Sequence, residues 1–227
     1  LNQPIQGYNP AMPRLQLAAE RDDVGARARL IEAAERLFAE HGYHAVSLRN
    51  VMALAQVNVA AAHYYFGSKK NLLQAVLDRR AVQINQARKE RLLRCLERGG
   101  KGASVEKILE AYIGPALEVC ADPGGALFVR VSALAAVDPS PDVQDIMQST
   151  YDETARLFVN ALKRACPKLK ETELYWRLQC VYGAMLYLRA NNGRVARILG
   201  RKAAPLDSRT VQEALRHVVP FLAAGLR

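Results

Sequence analysis

Ser47-Leu-Arg-Asn-Val51-Met-Ala-Leu-Ala55-Gln-Val-Asn58-Val-Ala-Ala-Ala-His-Tyr64-Tyr-Phe66-Gly-Ser68-Lys69 is the stretch that decides how this chain folds. Ser47 stands where a helix N-cap belongs, and Leu48, Val51, Met52 and Ala55 follow as a short apolar stripe. Three residues on, Asn58 can cap a second short helix from Val59 to about Tyr65. Ser68 can then cap a long helix from Lys69 toward Glu97, buried along Leu72, Leu73, Val76, Leu77 and Ile84. Two short helices joined by a three-residue turn have the geometry of a helix-turn-helix. Such a pair projects its second helix from a rigid base, as entry into a DNA major groove about 12 Å wide requires.

Upstream, Leu30, Ile31, Ala34, Leu37 and Phe38 recur at three and four, which predicts an amphipathic helix over 26–40 closed by Gly42. Residues 1–25 carry Pro4, Gly7, Pro10, Pro13 and Gly25 and read as a flexible arm. Leu1–Gln6 has neither a basic nor an apolar region of the secretory kind, so a cytoplasmic location is expected. Downstream, turn signals at Gly99–Gly102, Asp122–Gly125, Asp138–Pro141, Cys166–Pro167, Asn191–Gly193 and Ala204–Pro205 separate segments of helical length. Helices are expected at about 104–121, 125–137, 140–165, 171–190 and 208–224. The segment 171–190 is apolar on nearly all sides, which suggests packing on two faces. Sustained period-two alternation is missing, so the fold class is all-α. The expected domains are a helix-turn-helix domain over 26–72 and a helical domain over 73–227.

The chain has 227 residues, half of them apolar, and a formal net charge of +10. That composition excludes wholesale disorder, and no apolar run approaches the roughly 18 residues of a membrane-spanning helix. The excess is local. Residues 26–98 hold 13 Lys and Arg against 6 Asp and Glu, so +7 of the +10 lies there. A polyanionic partner suits that segment. Arg88, Lys89, Arg91, Arg94 and Arg98 far down the long helix are read as solvated surface, as are Arg189, Arg194, Arg197, Arg201 and Lys202. The four cysteines, Cys95, Cys120, Cys166 and Cys180, form no CxxC pair and read as buried hydrophobes in a reducing compartment. No metal set, nucleophile elbow or phosphate loop is evident, so neither a cofactor nor an enzymatic activity is expected.

The run Leu30-Ile-Glu-Ala-Ala-Glu-Arg-Leu-Phe-Ala-Glu-His-Gly42-Tyr43 resembles the first helix of the tetracycline-repressor (TetR) family. Ser47-Leu48-Arg49 resembles the opening of its second helix. His63-Tyr64-Tyr65-Phe66-Gly67-Ser68-Lys69-Lys70-Asn71-Leu72-Leu73 resembles the end of its recognition helix and the start of its fourth. The resemblance spans roughly 27–80. It implies a dimeric, ligand-responsive transcriptional regulator, with an N-terminal DNA-binding domain and a helical domain that binds small molecules and dimerises. Glu173-Leu174-Tyr175-Trp176-Arg177 and Val219-Pro220-Phe221-Leu222-Ala223-Ala224-Gly225 are similar to the C-terminal domain of PsrA-type members, some of which respond to long-chain fatty acids. Gln56 stands where the family usually has Gly, and Met52 where it usually has a small residue.

By position, Asn58, Val59, Ala60, Ala61, His63 and Tyr64 lie on or just before the recognition helix. The methyls of Ala60 and Ala61 suit thymine C5-methyl groups, or serve simply as helix formers. Arg49 occupies a position the resemblance assigns to guanine or phosphate contact; a solvated surface Arg is the alternative. Tyr64 is assigned to DNA and Phe66 to the core. Lys69 opposes the dipole of the helix it begins, so a phosphate clamp is expected in place of a stabilising role. Ser47 and Ser68 read as caps, and Ser47 also as a phosphate contact.

A small-molecule effector, with a fatty acid or acyl-CoA as the candidates, is expected among Phe128, Met147, Tyr151, Phe158, Trp176, Cys180 and Met185, with core packing as the default for each. Arg130 falls in an apolar segment, so it is expected to be buried against an internal carboxylate or a ligand anion. The implied partners are a double-stranded DNA operator, palindromic because the protein is a two-fold homodimer, and the effector. Segments 171–190 and 208–224 are the expected dimer face, with Val211, Leu215, Val218, Val219 and Leu222 as a stripe on the last helix. No membrane partner is expected. A helical ligand sensor or protein-interaction dimer with degenerate DNA binding is the main alternative, and a small helical enzyme a further one.

Overall fold

The computed structural model describes residues 12–97, 103–122, 124–190 and 192–227, with the side chains of 12–24 and 60–62 outside that description. Among the described residues all regular structure is helical. The helices are α1 (Met12–Ala45), α2 (Leu48–Ala55), α3 (Val59–Phe66), α4 (Lys69–Glu97), α5 (Val105–Glu118), α6 (Gly125–Ala136), α7 (Pro141–Ala165), α8 (Glu171–Ala190), α9 (Arg194–Ile198) and α10 (Ser208–Leu226). A 3-10 turn, Val119–Ala121, follows α5. The chain divides into two compact units, one ending at Val76 and the other beginning at Leu77.

Helix α1 begins at Met12, so 12–25 is helical backbone and not the irregular arm its glycine and prolines suggest. Pro13 falls in the first turn, where an N–H has no intrahelical partner to lose. The rest of the expected arm, 1–11, lies outside the described residues. Gly42 interrupts α1 with φ 78° and ψ 166°, a break that a residue without Cβ makes at little cost.

In the N-terminal unit Leu30, Ile31, Ala34 and Phe38 of α1 are buried with Val51, Met52 and Ala55 of α2 and Phe66 of α3. Leu37 is only half-buried. The Ser47 side chain accepts from the Asn50 N–H at 3.2 Å, and the Asn50 side chain accepts from the Ser47 N–H at 3.0 Å. This reciprocal box satisfies two donors at the start of α2. Gln56 closes α2 with φ 54° and ψ 44°, the left-handed region that a glycine would enter freely. Ser68 caps α4 by accepting from the Asn71 N–H at 3.1 Å, while the Asn71 amide donates to the Phe66 carbonyl at 2.9 Å.

Lys69 departs from expectation. Its Nζ donates to the carbonyls of Tyr43 and Val46, each at 3.0 Å, and lies 4.3 Å from the centroid of the Tyr43 ring. The ammonium therefore satisfies carbonyls left without partners at the end of α1. Its unfavourable placement on the dipole of α4 is offset by a favourable one on α1, which the sequence position alone does not reveal.

In the C-terminal unit α5 is the central element. Residues Ala111–Leu117 are all buried, including Pro115 and Gly114. Helix α5 packs against α7 and α10, α6 against α7 and α8, and α8 against α10. Tyr112 stacks on Phe158 with ring centroids 4.2 Å apart and planes 5° from parallel. Asn85 ties α4 to α7, donating to the Thr150 carbonyl at 2.6 Å and accepting from the Thr154 hydroxyl at 3.2 Å. At the start of α6 any Cβ on Gly125 would collide with the Val119 carbonyl, so glycine is required for α6 to begin this close to the end of α5.

Helix α8 does not bury two faces. Leu174, Val181 and Met185 are buried, whereas Tyr175, Trp176 and Tyr187 are exposed. No cysteine is fully buried: Cys95, Cys120 and Cys166 are half-buried and Cys180 is exposed. Arg130 is exposed, because it lies on the face of α6 opposite Phe128, Val131 and Ala135.

Two expectations for stability follow. Gln56→Gly relieves the left-handed strain and raises stability by about 1 kcal/mol in urea unfolding. Lys69→Ala leaves two carbonyls short of a donor and lowers the thermal midpoint by several degrees, on the order of 1–3 kcal/mol. An unchanged midpoint for Lys69→Ala would return Lys69 to a role on the protein surface.

Candidate functional site

The N-terminal unit exposes most of the residues singled out for DNA contact. Arg49 of α2 and Val59, His63 and Tyr64 of α3 are exposed, together with Ser47 and Asn58 at the helix starts. Tyr64 is 80 % exposed, whereas Phe66 is 6 % exposed, so the two rings divide between surface and core. Adjacent positions on a helix point about 100° apart, and that rotation makes the division. Tyr65 is half-buried, its ring 5.3 Å from that of Tyr64 and 6.3 Å from that of Phe66. The Tyr64–Tyr65 contact is edge-on, which leaves the Tyr64 hydroxyl outward on a braced ring. The side chains of Ala60 and Ala61 lie outside the described residues. The Ser47 hydroxyl is already engaged with Asn50 in the cap.

The surface is suited to an anionic, grooved partner. A short helix carries exposed side chains, its start fixed by a tight turn and its end fixed by Asn71. Arg49, exposed in the first turn of α2, presents a fork of donors. The cation–π contact of Arg27 with Phe66, at 5.5 Å, adds positive charge to the same unit without exposing apolar area.

The second candidate site is a cavity of about 760 Å³ inside the C-terminal unit. It is bounded by Ile84 and Arg88 of α4, Tyr112 and Ala116 of α5, Ser132 of α6, Met147 and Tyr151 of α7, and Tyr182 and Arg189 of α8, among others. Its size falls in the range of about 300–1,000 Å³ usual for small-molecule sites. Of the residues singled out from sequence, Met147, Tyr151 and Met185 line it. Phe128 and Phe158 are fully buried core and do not line it. Trp176 and Cys180 are exposed on α8 and do not line it, and Arg130 points away from it. Trp176 and Cys180 lie on the α8 face left uncovered in a single chain, which periodicity alone could not separate from its buried one.

The residues that sequence reasoning missed are Arg88, Tyr112, Ser132, Tyr182 and Arg189. The charge pattern places Arg88 and Arg189 on solvated surface, yet Arg88 is 3 % exposed and Arg189 is half-buried against the cavity. Arg88 sits four residues after Ile84 on the same helical face, a spacing that offered the one available signal. Tyr112 and Tyr182 meet hydroxyl to hydroxyl at 3.3 Å. Burial pushes the phenol pKa of Tyr151 and of Tyr182 above the ordinary tyrosine value, so both remain neutral donors. Burial also raises the Cys120 thiol pKa. Among the described residues no cluster of His, Cys, Asp and Glu is built to hold a metal ion, and no helix is long and apolar enough to cross a membrane.

Comparison with known proteins finds a family match on each of the two units. The family description "Bacterial regulatory proteins, tetR family" matches residues 30–76, and "Tetracyclin repressor-like, C-terminal domain" matches residues 110–225. An HTH-type transcriptional regulator of Mycobacterium bovis and an HTH-type transcriptional repressor of Mycobacterium tuberculosis are each 33 % identical over 108 residues. The matched stretch is 45 % of this chain and 56 % of each relative, so the chain spans about half the length of these curated relatives. Among solved structures, the fatty acid degradation regulator FadR from Bacillus halodurans superposes with a TM-score of 0.63 at 17 % identity, covering 89 % of this chain and 96 % of that one. A transcriptional regulator of the TetR/AcrR group from Aquifex aeolicus superposes with a TM-score of 0.57 at 18 % identity, covering 87 % and 99 %. The structural likenesses establish the fold. The two family matches, falling one on each compact unit and the second spanning half the chain, establish that the protein belongs to the TetR family of bacterial transcriptional regulators.

Proposed function

We propose that this regulator is a repressor that binds a near-palindromic operator as a homodimer and is released by a lipidic small molecule held in the C-terminal cavity. The observation that carries the reading is the coexistence of an exposed recognition helix in one unit and a 760 Å³ cavity in the other. Helix α3 enters the major groove, with Val59, Ala60, Ala61, His63 and Tyr64 toward the bases and backbone. Arg49 reads guanine or grips phosphate, since a guanidinium can bridge O6 and N7. Asn58 adds a phosphate contact at the start of α3, whereas Ser47, whose hydroxyl and N–H both meet Asn50, serves as the cap of α2. Lys69 is left out of this set, because its ammonium is held inside the N-terminal unit. The charge of +7 over residues 26–98 supports an affinity carried largely by phosphates, hence strongly weakened by salt.

The dimer forms through α8 and α10. Support comes from the exposed Tyr175, Trp176 and Tyr187 on α8 and Phe221 on α10, an apolar surface that a lone chain leaves in water. Two-fold symmetry sets recognition helices about 34–36 Å apart on a palindromic site. Helix α4 contributes Ile84 and Arg88 to the cavity and begins with the residues that brace α3, so it is the element through which a bound effector shifts the DNA-binding unit. The required coupling is typically about 1–3 kcal/mol of differential affinity between the two states. The lipidic effector class is supported by the fatty acid degradation regulator among the structural neighbours. A regulator of this kind works in the cytoplasm, where its operator is.

Genome-wide footprinting with the full chain identifies the operator. On that site Arg49→Ala with Tyr64→Ala lowers affinity at least tenfold in fluorescence anisotropy without moving the thermal midpoint. Unchanged affinity would mean that another face meets DNA. Phe221→Glu turns the dimer into a monomer in sedimentation analysis and weakens operator binding in parallel; a dimer that survives it would place the interface elsewhere.

A further inference from the structure

The cavity holds two arginines that no carboxylate answers. Arg88 Nε donates to the Tyr112 carbonyl at 2.8 Å, its Nη2 lies 3.8 Å from Met185 Sδ, and its guanidinium carbon is 4.1 Å from the Tyr112 ring centroid. Arg189 Nη2 donates to the Ser132 hydroxyl at 2.6 Å, and its Nε is buried with no hydrogen-bond partner. The Arg189 pKa is lowered, first by burial, with repulsion from Arg88 acting in the same direction. That is the behaviour of a cation taken from water without its counter-charge. The carboxylates around the cavity are engaged elsewhere or at its rim. Asp152 accepts from Arg156 at 3.0 Å, Asp138 accepts from the Ser140 N–H at 2.8 Å, and Asp145 is exposed.

The polar groups are also sorted by depth. Arg88, Tyr112 and Ser132 are each at most 3 % exposed and form the floor. Gln144, Asp145, Gln148 and Gln179 are exposed and form the rim, with Met147, Ala155 and Leu186 less exposed than the rim residues. Two guanidiniums that meet neutral groups and no carboxylate, beside neutral tyrosine hydroxyls, make a receptor for one delocalised oxyanion.

We propose that the floor of the cavity binds the carboxylate of a free organic acid that enters head first, its apolar part resting on Ile84, Met147, Ala155 and Leu186. This rests on the effector reading above and narrows it. A fatty acyl thioester offers the floor only a neutral carbonyl and carries its charge on a bulky nucleotide, so it is not the ligand this floor fits. Arg189 is the anion-binding residue with a donor to spare, and Arg88 orients beside it.

The test is calorimetric titration of the full chain with dodecanoate, 1-dodecanol and dodecanoyl-coenzyme A. Dodecanoate binds, and the alcohol and the thioester bind at least about tenfold more weakly, the usual span for losing a charge-assisted hydrogen bond. Arg189→Met weakens dodecanoate by a similar factor, while the ligand-free protein melts no lower than the parent, because an uncompensated buried charge has been replaced by an apolar chain. Arg189→Lys keeps the charge and retains part of the affinity. Equal binding of the alcohol or the thioester overturns the proposal, as does no binding by any of the three. It is also overturned if Arg189→Met melts lower and binds dodecanoate undiminished. The effector reading falls separately: it fails if no molecule that co-purifies with the protein, identified by native mass spectrometry, releases the operator.

Discussion

A guanidinium removed from water has to be answered by oxygen atoms or by an anion, and that constraint organises the C-terminal unit. Arg88 is answered by a carbonyl, a thioether and the face of Tyr112. These contacts pin α4 to the most buried helix, α5, and Tyr112 passes the constraint on by stacking on Phe158 of α7. Its hydroxyl meets Tyr182 of α8. Four helices therefore converge on one side chain. Arg189 is only partly answered, by the Ser132 hydroxyl and the Cys120 thiol, and its Nε is left without a partner, so the packing that makes the unit rigid stops short of satisfying it. A half-satisfied polar network is costly in a stable core and useful in a binding site.

The N-terminal unit solves a different problem with similar means. Two short helices must be held rigidly with little buried area. Helices α2 and α3 have eight residues each, below the length at which an isolated helix is stable in water. Caps and cross-links make up the difference. Ser47 and Asn50 close the start of α2, Asn71 holds the end of α3, and Lys69 joins the end of α1 to the start of α4. The left-handed Gln56 is tolerated because Val57 still donates to the Met52 carbonyl at 3.2 Å. Met52 is accommodated as a buried side chain, 8 % exposed, where a smaller residue is usual in the family.

Much of this was legible from residues. Leu30, Ile31, Ala34 and Phe38 mark a buried face because helical periodicity survives any tertiary context. Helices expected at 125–137, 140–165 and 171–190 fall within a residue of α6, α7 and α8, since Gly and Pro punctuate both ends of each. The short α9 is not legible in the sequence, because Val195, Ile198 and Leu199 give helical spacing over a single turn that does not repeat. Arg130 misled because an apolar neighbourhood in sequence is not burial in space: its neighbours Phe128 and Val131 turn inward while it turns out. Arg88 and Arg189 misled in the opposite sense, for they were counted with charged neighbours that do face solvent.

By itself the sequence determined the all-helical class, the helix-turn-helix order and the family. These rest on short-range rules, caps three residues apart and apolar positions three or four apart, that hold wherever the segment ends up. Only the tertiary structure decided what the charges do. Whether Lys69 serves a phosphate or a helix end depends on Tyr43 and Val46, more than twenty residues away in the chain. Whether an arginine is solvated or forms the floor of a cavity depends on helices α5, α6 and α8 closing around it. A local pattern fixes which way a side chain leaves its helix. The free energy of a charge is fixed by everything that replaces the water around it, and that is a property of the packed fold.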